Sequence, residues 1–266
     1  MMLNVISGQL EAILFDFDGV LRDVSKSYRL AISKTVGVLS EALKSKKEDA
    51  TFEEIEKYKS QGFNNDWDCT EQILIHERRL DVSKEVIVNT FQDFYLGNQV
   101  PDNSPIGYKY TGFIESEKFM ADLNLLKQLS EQYFLAIISG APREEVEYAL
   151  KKVDVNSLNY FNNILCMEDL ESRYSNSKAL AIKEIIQYLN PKSACYVGDA
   201  TSDMKAAKEA AIVGIGVIPA GVYDENPQGK LEWEQKLKDA SALRVFENID
   251  EVMSFFVSRK LIQLKY

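Results

Sequence analysis

Short apolar runs recur along the chain at residues 12–15, 133–138, 163–166, 194–197 and 212–217, with a weaker one at 244–246. Each has the length of a buried strand. The later runs alternate with segments whose apolar residues fall at helical spacing. Phe119, Leu123, Leu126 and Leu129 mark residues 118–130, and Val146, Ala149, Leu150 and Val153 mark 144–153. Leu180, Ile182, Ile185, Ile186 and Leu189 mark 177–189, and 203–211 is short and alanine-rich. A loop and a polar helix over 219–238 and a helix over 250–260 complete the pattern. Near-continuous apolar strands alternating with helices predict an α/β fold, a parallel sheet covered by helices on both faces.

Residues 24–112 break the alternation. Helical patterns follow one another there without a convincing strand. One spans 27–46, through Tyr28, Ala31, Ile32, Thr35, Val36, Leu39 and Leu43. Thr51 caps the next, with Glu54 completing a capping box. Two more cover 70–79 and 83–94, the latter capped by Ser83. Residues 101–112, with prolines, glycines and Asn103-Ser104, read as a loop returning to the sheet. The expected organisation is a core of residues 1–23 and 113–266 with an all-helical insertion at 24–112. An insertion placed directly after a strand-end turn is expected to act as a lid, because open α/β sheets bind ligands at their strand ends.

Composition narrows the function classes. The 266 residues are 45% hydrophobic and 27% charged, as in an ordinary soluble globular protein. No apolar stretch approaches the ~20 residues of a membrane span. The start, MMLNVISGQLEAILF, has no basic segment, so no signal peptide is expected. Net charge −10, a pI near 4.9 and the lack of a basic tract argue against a nucleic-acid partner. Cys69, Cys166 and Cys195 form no CxxC, a pattern expected in a reducing cytoplasmic compartment. Cys166 and Cys195 lie in apolar runs and read as buried. The single histidine, His76, sits in a polar helical stretch, which leaves no basis for a Ser-His-Asp triad or a Cys–His zinc site.

The candidate chemistry lies at the strand ends. Residues 14–21 read Leu-Phe-Asp-Phe-Asp-Gly-Val-Leu. The first strand ends on Asp16, Asp18 follows two residues later, and Gly19 permits a sharp turn. A calcium loop would continue with further oxygen ligands and a glutamate; this segment continues with Val20 and Leu21. A second strand ends at Ser139-Gly140, with Pro142 opening a helix over 143–153. A hydroxyl and free N–H groups at a helix N-terminus suit an anion, although serine also caps helices there. A third strand ends in Gly198-Asp199, and Asp203 opens the next helix, where it could act as a cap. Asp16, Asp18, Asp199 and Asp203 together would make a hard-oxygen site suited to Mg²⁺, and a costly one without a cation. Lys178 opens the helix over 177–189, where a lysine is unfavourable unless an anion or solvent receives it. In the insertion, Gln61-Gly62-Phe63-Asn64-Asn65-Asp66-Trp67 is either a turn or a substrate contact.

The order DxD, Ser-Gly, Lys, Gly-Asp-x-x-x-Asp resembles the four motifs of the haloacid dehalogenase-like hydrolases. The resemblance covers essentially the whole chain. The insertion is similar to the C1-type cap of subfamily I, which includes phosphoglycolate phosphatases and β-phosphoglucomutases. The resemblance implies a Rossmann-like core and assigns roles by position. Asp16 would be the nucleophile and Asp18 the general acid and base. Ser139 and the Gly140 amide would bind the phosphoryl group, and Lys178 would neutralise nucleophile and phosphate. Mg²⁺ would be held by Asp16, the Asp18 carbonyl and Asp199, with Asp203 in support. Gly19 is expected beside the phosphate, Arg22 and Arg143 beside the phosphate or a second anionic group, and Asn64, Asn65 or Asp66 at the leaving group. Lys178 is followed by Ala-Leu-Ala and not by the family's frequent Pro-x-Pro, a local departure. The dehalogenases lack the second acid, and no cap lysine of the phosphonate-hydrolase kind is identifiable. The expected activity is a Mg²⁺-dependent phosphatase for a small phosphorylated metabolite, through a phosphoaspartate, in a monomer or homodimer. The alternatives are a phosphomutase of the β-phosphoglucomutase type and a catalytically idle binding protein; the intact acids argue against the latter.

Overall fold

The computed structural model describes residues 11–44, 46, 48–61, 63, 65–191, 193–219, 221–222 and 227–263. It divides into two units, Met1–Asp23 with Lys118–Tyr266, and Val24–Glu117. In chain order, β1 (Ala12–Phe15) and β2 (Arg22–Asp23) precede the second unit. That unit holds α1 (Ser27–Lys44), α2 (Phe52–Ser60), α3 (Asp66–His76), α4 (Lys84–Tyr95), β3 (Gln99–Pro101) and β4 (Tyr108–Tyr110). The first unit resumes with β5 (Lys118–Phe119), α5 (Leu123–Ser130), β6 (Phe134–Ile138), α6 (Arg143–Val153), β7 (Asn163–Leu165) and α7 (Met167–Tyr174). It continues with α8 (Lys178–Leu189), β8 (Ala194–Gly198), α9 (Thr201–Glu209), β9 (Val213–Val217), α10 (Pro227–Asp239), β10 (Ala242–Phe246) and α11 (Ile249–Gln263).

Six strands of the first unit form an all-parallel sheet in the order β10-β9-β8-β1-β6-β7. β1 is central, with Phe15 level with Ile137 on one side and Val197 on the other. Side chains alternate across the sheet and so split the core in two. Ile13, Phe15, Leu135, Ile137, Cys195 and Val197 pack in one layer with Leu126 of α5, Val146 of α6 and Met253 of α11. Leu14, Ala136, Ile138 and Tyr196 pack in the other with Leu170 of α7, Ile182 of α8 and Ala207 of α9. Both faces of β1 are buried, which is why it reads as an uninterrupted apolar run. Each such large side chain contributes about 1.5–3 kcal/mol by leaving water.

Residues 118–122 are not helical, contrary to the periodicity. Lys118 and Phe119 pair antiparallel with Asp23 and Arg22. α5 starts only after Asp122, whose carboxylate accepts the N–H groups of Asn124 and Leu125. Phe119 keeps helical phase with Leu123 because both pack on the same core layer.

In the second unit, α1 packs on α3 and α4. Thr51 and Glu54 form the expected capping box, and Arg78 holds the same end of α2 through two bonds to Glu54, at 2.7 and 2.9 Å. The unit is not all-helical. Residues 99–101 and 108–110 form a hairpin, registered Gln99↔Tyr110 and Pro101↔Tyr108, where a loop was expected. Its turn is closed by Gly107 N–H donating to the Ser104 carbonyl and Ser104 N–H donating to Asp102. Pro101 ends its strand, where a missing donor costs least. No helix among the described residues is long and apolar enough to cross a membrane.

Candidate active site

The site is built on β1 and β8. Asp16 N–H donates to the Val197 carbonyl at 2.8 Å, extending the strand pairing by one residue. Its carboxylate Oδ1 then accepts from Phe17 N–H at 2.8 Å. The chain turns at once: Leu21 and Arg22 N–H groups donate to the Phe17 carbonyl, and Gly19 N–H donates to the Arg22 carbonyl. Gly19 stands at φ +75°, and a Cβ there would lie 2.0 Å from the Asp199 carboxylate. The glycine is required twice, for the left-handed backbone and for the approach of Asp199.

Asp199 and Asp203 leave the end of β8. A Cβ on Gly198 would stand 2.3 Å from that of Asp203, so this second glycine admits the Asp203 side chain. Asp203 is fully buried. Its Oδ2 accepts from Ala200 N–H at 3.1 Å and its Oδ1 from Lys178 Nζ at 2.8 Å. The capping role anticipated for Asp203 is thus combined with an ion pair. Lys178 Nζ also donates to Asp16 Oδ2 at 2.7 Å. This is the anion implied by a lysine at a helix start; Ser177 caps the helix itself. One carboxylate oxygen from each of Asp16, Asp199 and Asp203 lies within 4.8 Å of the other two. Three carboxylates against one ammonium leave two formal negative charges, which suits a divalent hard cation.

The electrostatics follow from this crowding. Burial, then Asp203, push the Asp16 carboxyl up to about 7 against the opposing pull of Lys178. Burial, Asp203 and Asp16 hold Asp199 well above the usual carboxylate range. Burial pulls the Lys178 ammonium down, but Asp16 and Asp203 outweigh it and hold its pKa well above the ordinary value. Asp16 therefore keeps a proton in the folded protein that the unfolded chain, titrating near 3.8, has lost. Its contribution to stability falls as pH rises from about 4 through about 7. With chelator present, the Tm is expected to fall across this window, and millimolar Mg²⁺ to flatten the fall. A Tm that rises from pH 5 to pH 8 in chelator would contradict the crowding.

The other expected site residues are placed as follows. Ser139 follows β6, next to β1, and is buried; its hydroxyl accepts from Ala141 N–H at 3.1 Å. Gly140 is exposed at the start of that turn. Asp18 is paired with Arg22, whose Nε lies 2.7 Å from Asp18 Oδ1. Arg22 is fully buried, and its guanidinium is bound to a protein carboxylate. Arg143 is likewise bound to protein groups, Asp169 at 2.6 Å and the Ile164 carbonyl at 2.9 Å, joining α6 to β7 and α7. Asn65 caps α3 through the N–H groups of Trp67 and Asp68, and Asp66 pairs with Lys59 at 2.7 Å. Both have local structural work in the second unit. Asn64 lies outside the described residues.

Three residues around the site were not anticipated. Tyr196 lies under the Lys178 ammonium, 6.0 Å from the ring centroid, and donates its hydroxyl to the Ile138 carbonyl. Trp233 of α10 donates its indole N–H to the Asp199 carbonyl at 2.9 Å. Glu145 of α6 is buried, 3.6 Å from Arg22. Nothing local marks them: each sits in an ordinary amphipathic or apolar stretch.

The family model of haloacid dehalogenase-like hydrolases matches residues 10–211. Among solved structures, a predicted phosphoglycolate phosphatase from Haemophilus somnus superposes with a TM-score of 0.65 at 13% identity, over 93% of this chain and 98% of that one. A hydrolase from Pseudomonas syringae gives 0.62 at 17% identity, over 92% and 96%. At these identities the likeness is one of fold. A curated protein, imidazoleglycerol-phosphate dehydratase from Phytophthora nicotianae, is 26% identical over 224 residues, 82% of this chain. The chain spans 45% of that protein's length.

Proposed function

We propose, for a chain that belongs to the haloacid dehalogenase-like hydrolases, that it is a Mg²⁺-dependent phosphatase for a small phosphorylated metabolite. The observation that carries this reading is the buried strand-end cluster, Asp16 and Asp203 joined by Lys178, with Asp199 beside them. The donor set fits the cation. Asp16, Asp199 and Asp203 would hold it, together with the Asp18 carbonyl. When bound, Mg²⁺ supplies charge withdrawal from the phosphoryl oxygens.

The chain's own residues divide the rest. Lys178 pulls Asp16 toward its ionised form, against burial and Asp203, and offsets the repulsion between a carboxylate and a phosphate dianion. The Asp16 carboxylate attacks phosphorus and the ester P–O bond breaks. Asp18 gives its proton to the departing alkoxide. It then takes a proton from the water that attacks the phosphoaspartate, which releases phosphate and restores Asp16. Ser139 and the Gly140 N–H, at the start of α6, suit the phosphoryl oxygens. The buried thiols of Cys69, Cys166 and Cys195 support a reducing, cytoplasmic setting.

The test is hydrolysis of 4-nitrophenyl phosphate with Mg²⁺ and with chelator, followed by a panel of metabolite monoesters. Metal-dependent phosphate release is expected. Activity that persists in chelator overturns the metal assignment. Isomerisation of a sugar phosphate with little net phosphate release would make the protein a mutase.

A further inference from the structure

The Asp18 carboxylate is held by Arg22. Nε and Nη2 of Arg22 lie 2.7 and 2.6 Å from the same oxygen, Asp18 Oδ1. The guanidinium has no exposed surface, while the Asp18 side chain retains 24%. Behind it, Phe17 offers its ring face 5.1 Å from the guanidinium carbon, and Glu145 Oε2 lies 3.6 Å from Nη2. Glu145 belongs to the first turn of α6, the helix that opens after Ser139 and Gly140. A buried arginine is costly, and one joined to two carboxylates from separate segments, the turn after β1 and the first turn of α6, is a fixed strut, not a solvated surface charge.

We propose that Arg22 is the positioning residue for Asp18, and that Glu145 ties this anchor to the helix following the Ser139 turn. The proposal rests on the reading of Asp18 as proton donor and acceptor. Arg22 touches no reacting atom. It holds the carboxylate in the one orientation from which a proton can pass to the leaving oxygen and later be taken from water. A phosphate contact made by Arg22 would affect all esters alike. A positioning role affects an ester according to how much its leaving group needs a proton.

The experiment compares the full-length, Mg²⁺-loaded wild type with R22M, R22K, E145Q and D18N. The substrates are phenyl phosphate, a poor leaving group, and 4-nitrophenyl phosphate, which leaves as a stable anion. For R22M, kcat on phenyl phosphate is expected to fall about 100-fold with KM little changed. On 4-nitrophenyl phosphate the same variant is expected to give a burst of one nitrophenolate per enzyme and then slow turnover. The first step there no longer needs the proton, whereas water must still surrender one. R22K should recover part of the loss, and E145Q should move in the same direction by less. If R22M does not fold, R22K and E145Q carry the comparison. Equal losses on both esters without a burst, or no loss in variants that keep the Mg²⁺-induced rise in Tm, overturn the proposal. A wild type inactive on both esters overturns the phosphatase reading and this proposal with it. An active wild type with a crippled D18N and unaffected Arg22 variants overturns this proposal alone.

Discussion

Asp16→Asn is expected to lower turnover of 4-nitrophenyl phosphate by roughly 10⁴- to 10⁶-fold, the range seen when an enzyme's nucleophile is removed. An amide keeps the shape and can still accept from Phe17 N–H, but it cannot form the phosphoryl ester. The change should not weaken the fold. Asp16 is buried beside Asp203, and its ionisation is opposed by both burial and that neighbour. Removing its charge relieves the repulsion. In chelator at pH 8 the variant is therefore expected to melt at or above the wild-type temperature, and the fall in Tm from pH 5 to pH 7 should shrink. A parallel pair of measurements, kcat and Tm against pH, checks both. Retained turnover would remove Asp16 from the nucleophile's role, and a large drop in Tm would show that the cluster is structural glue.

Lys178→Met is expected to do the opposite to stability. Its ammonium is the shared partner of Asp16 and Asp203, at 2.7 and 2.8 Å, in a site with no exposed Asp203 surface. Without it, those buried carboxylates face each other and Asp199 uncompensated. Breaking a buried pair in this way costs about 3–5 kcal/mol. The loss should be greatest at pH 8 in chelator and least near pH 5, where protons can replace the missing charge. Turnover with Mg²⁺ should fall about 10²- to 10³-fold, the scale of one lost electrostatic contact in a transition state. Denaturant melts at the two pH values and a steady-state assay test this. Adding Asp203→Asn to Lys178→Met should recover much of the stability and none of the activity. If the double variant is no more stable than the single one, the Lys178–Asp203 contact is not what Lys178 contributes.

The sheet was legible because its strands are buried on both faces. β1 spans the four residues that the apolar run marks, and β6, β8 and β9 differ from their runs by one residue at an end. The turn after β1 was legible because a glycine and two acids at a strand end have few other uses. What was not legible depends on pairing across distance. β2 and β5 hold two residues each, too few to show a period of two, and Phe119 falls in phase with the helix that follows. The β3–β4 hairpin was hidden by its own proline and glycine. α7, Met-Glu-Asp-Leu-Glu-Ser-Arg-Tyr, buries only Leu170 and Tyr174, so its period barely registers. Arg22 was visible as a cation near the acids. Its choice of Asp18 and Glu145 was not, since one partner is four residues away and the other is on a different helix.

The small ladder between β2 and β5 has a consequence for how such a protein can be rebuilt. Asp23, the last residue before the second unit, is paired with Lys118, the first after it. The chain thus leaves and re-enters the first unit at adjacent, hydrogen-bonded positions. Closing a longer or shorter excursion between two such points changes the entropy only logarithmically with length, about 0.6 kcal/mol per doubling. Residues 24–117 are accordingly a graft site. A foreign module with close termini could be spliced in between Asp23 and Lys118 while the β1 and β8 strand ends keep their registers, which decouples the inheritance of the reaction from that of whatever the module contributes.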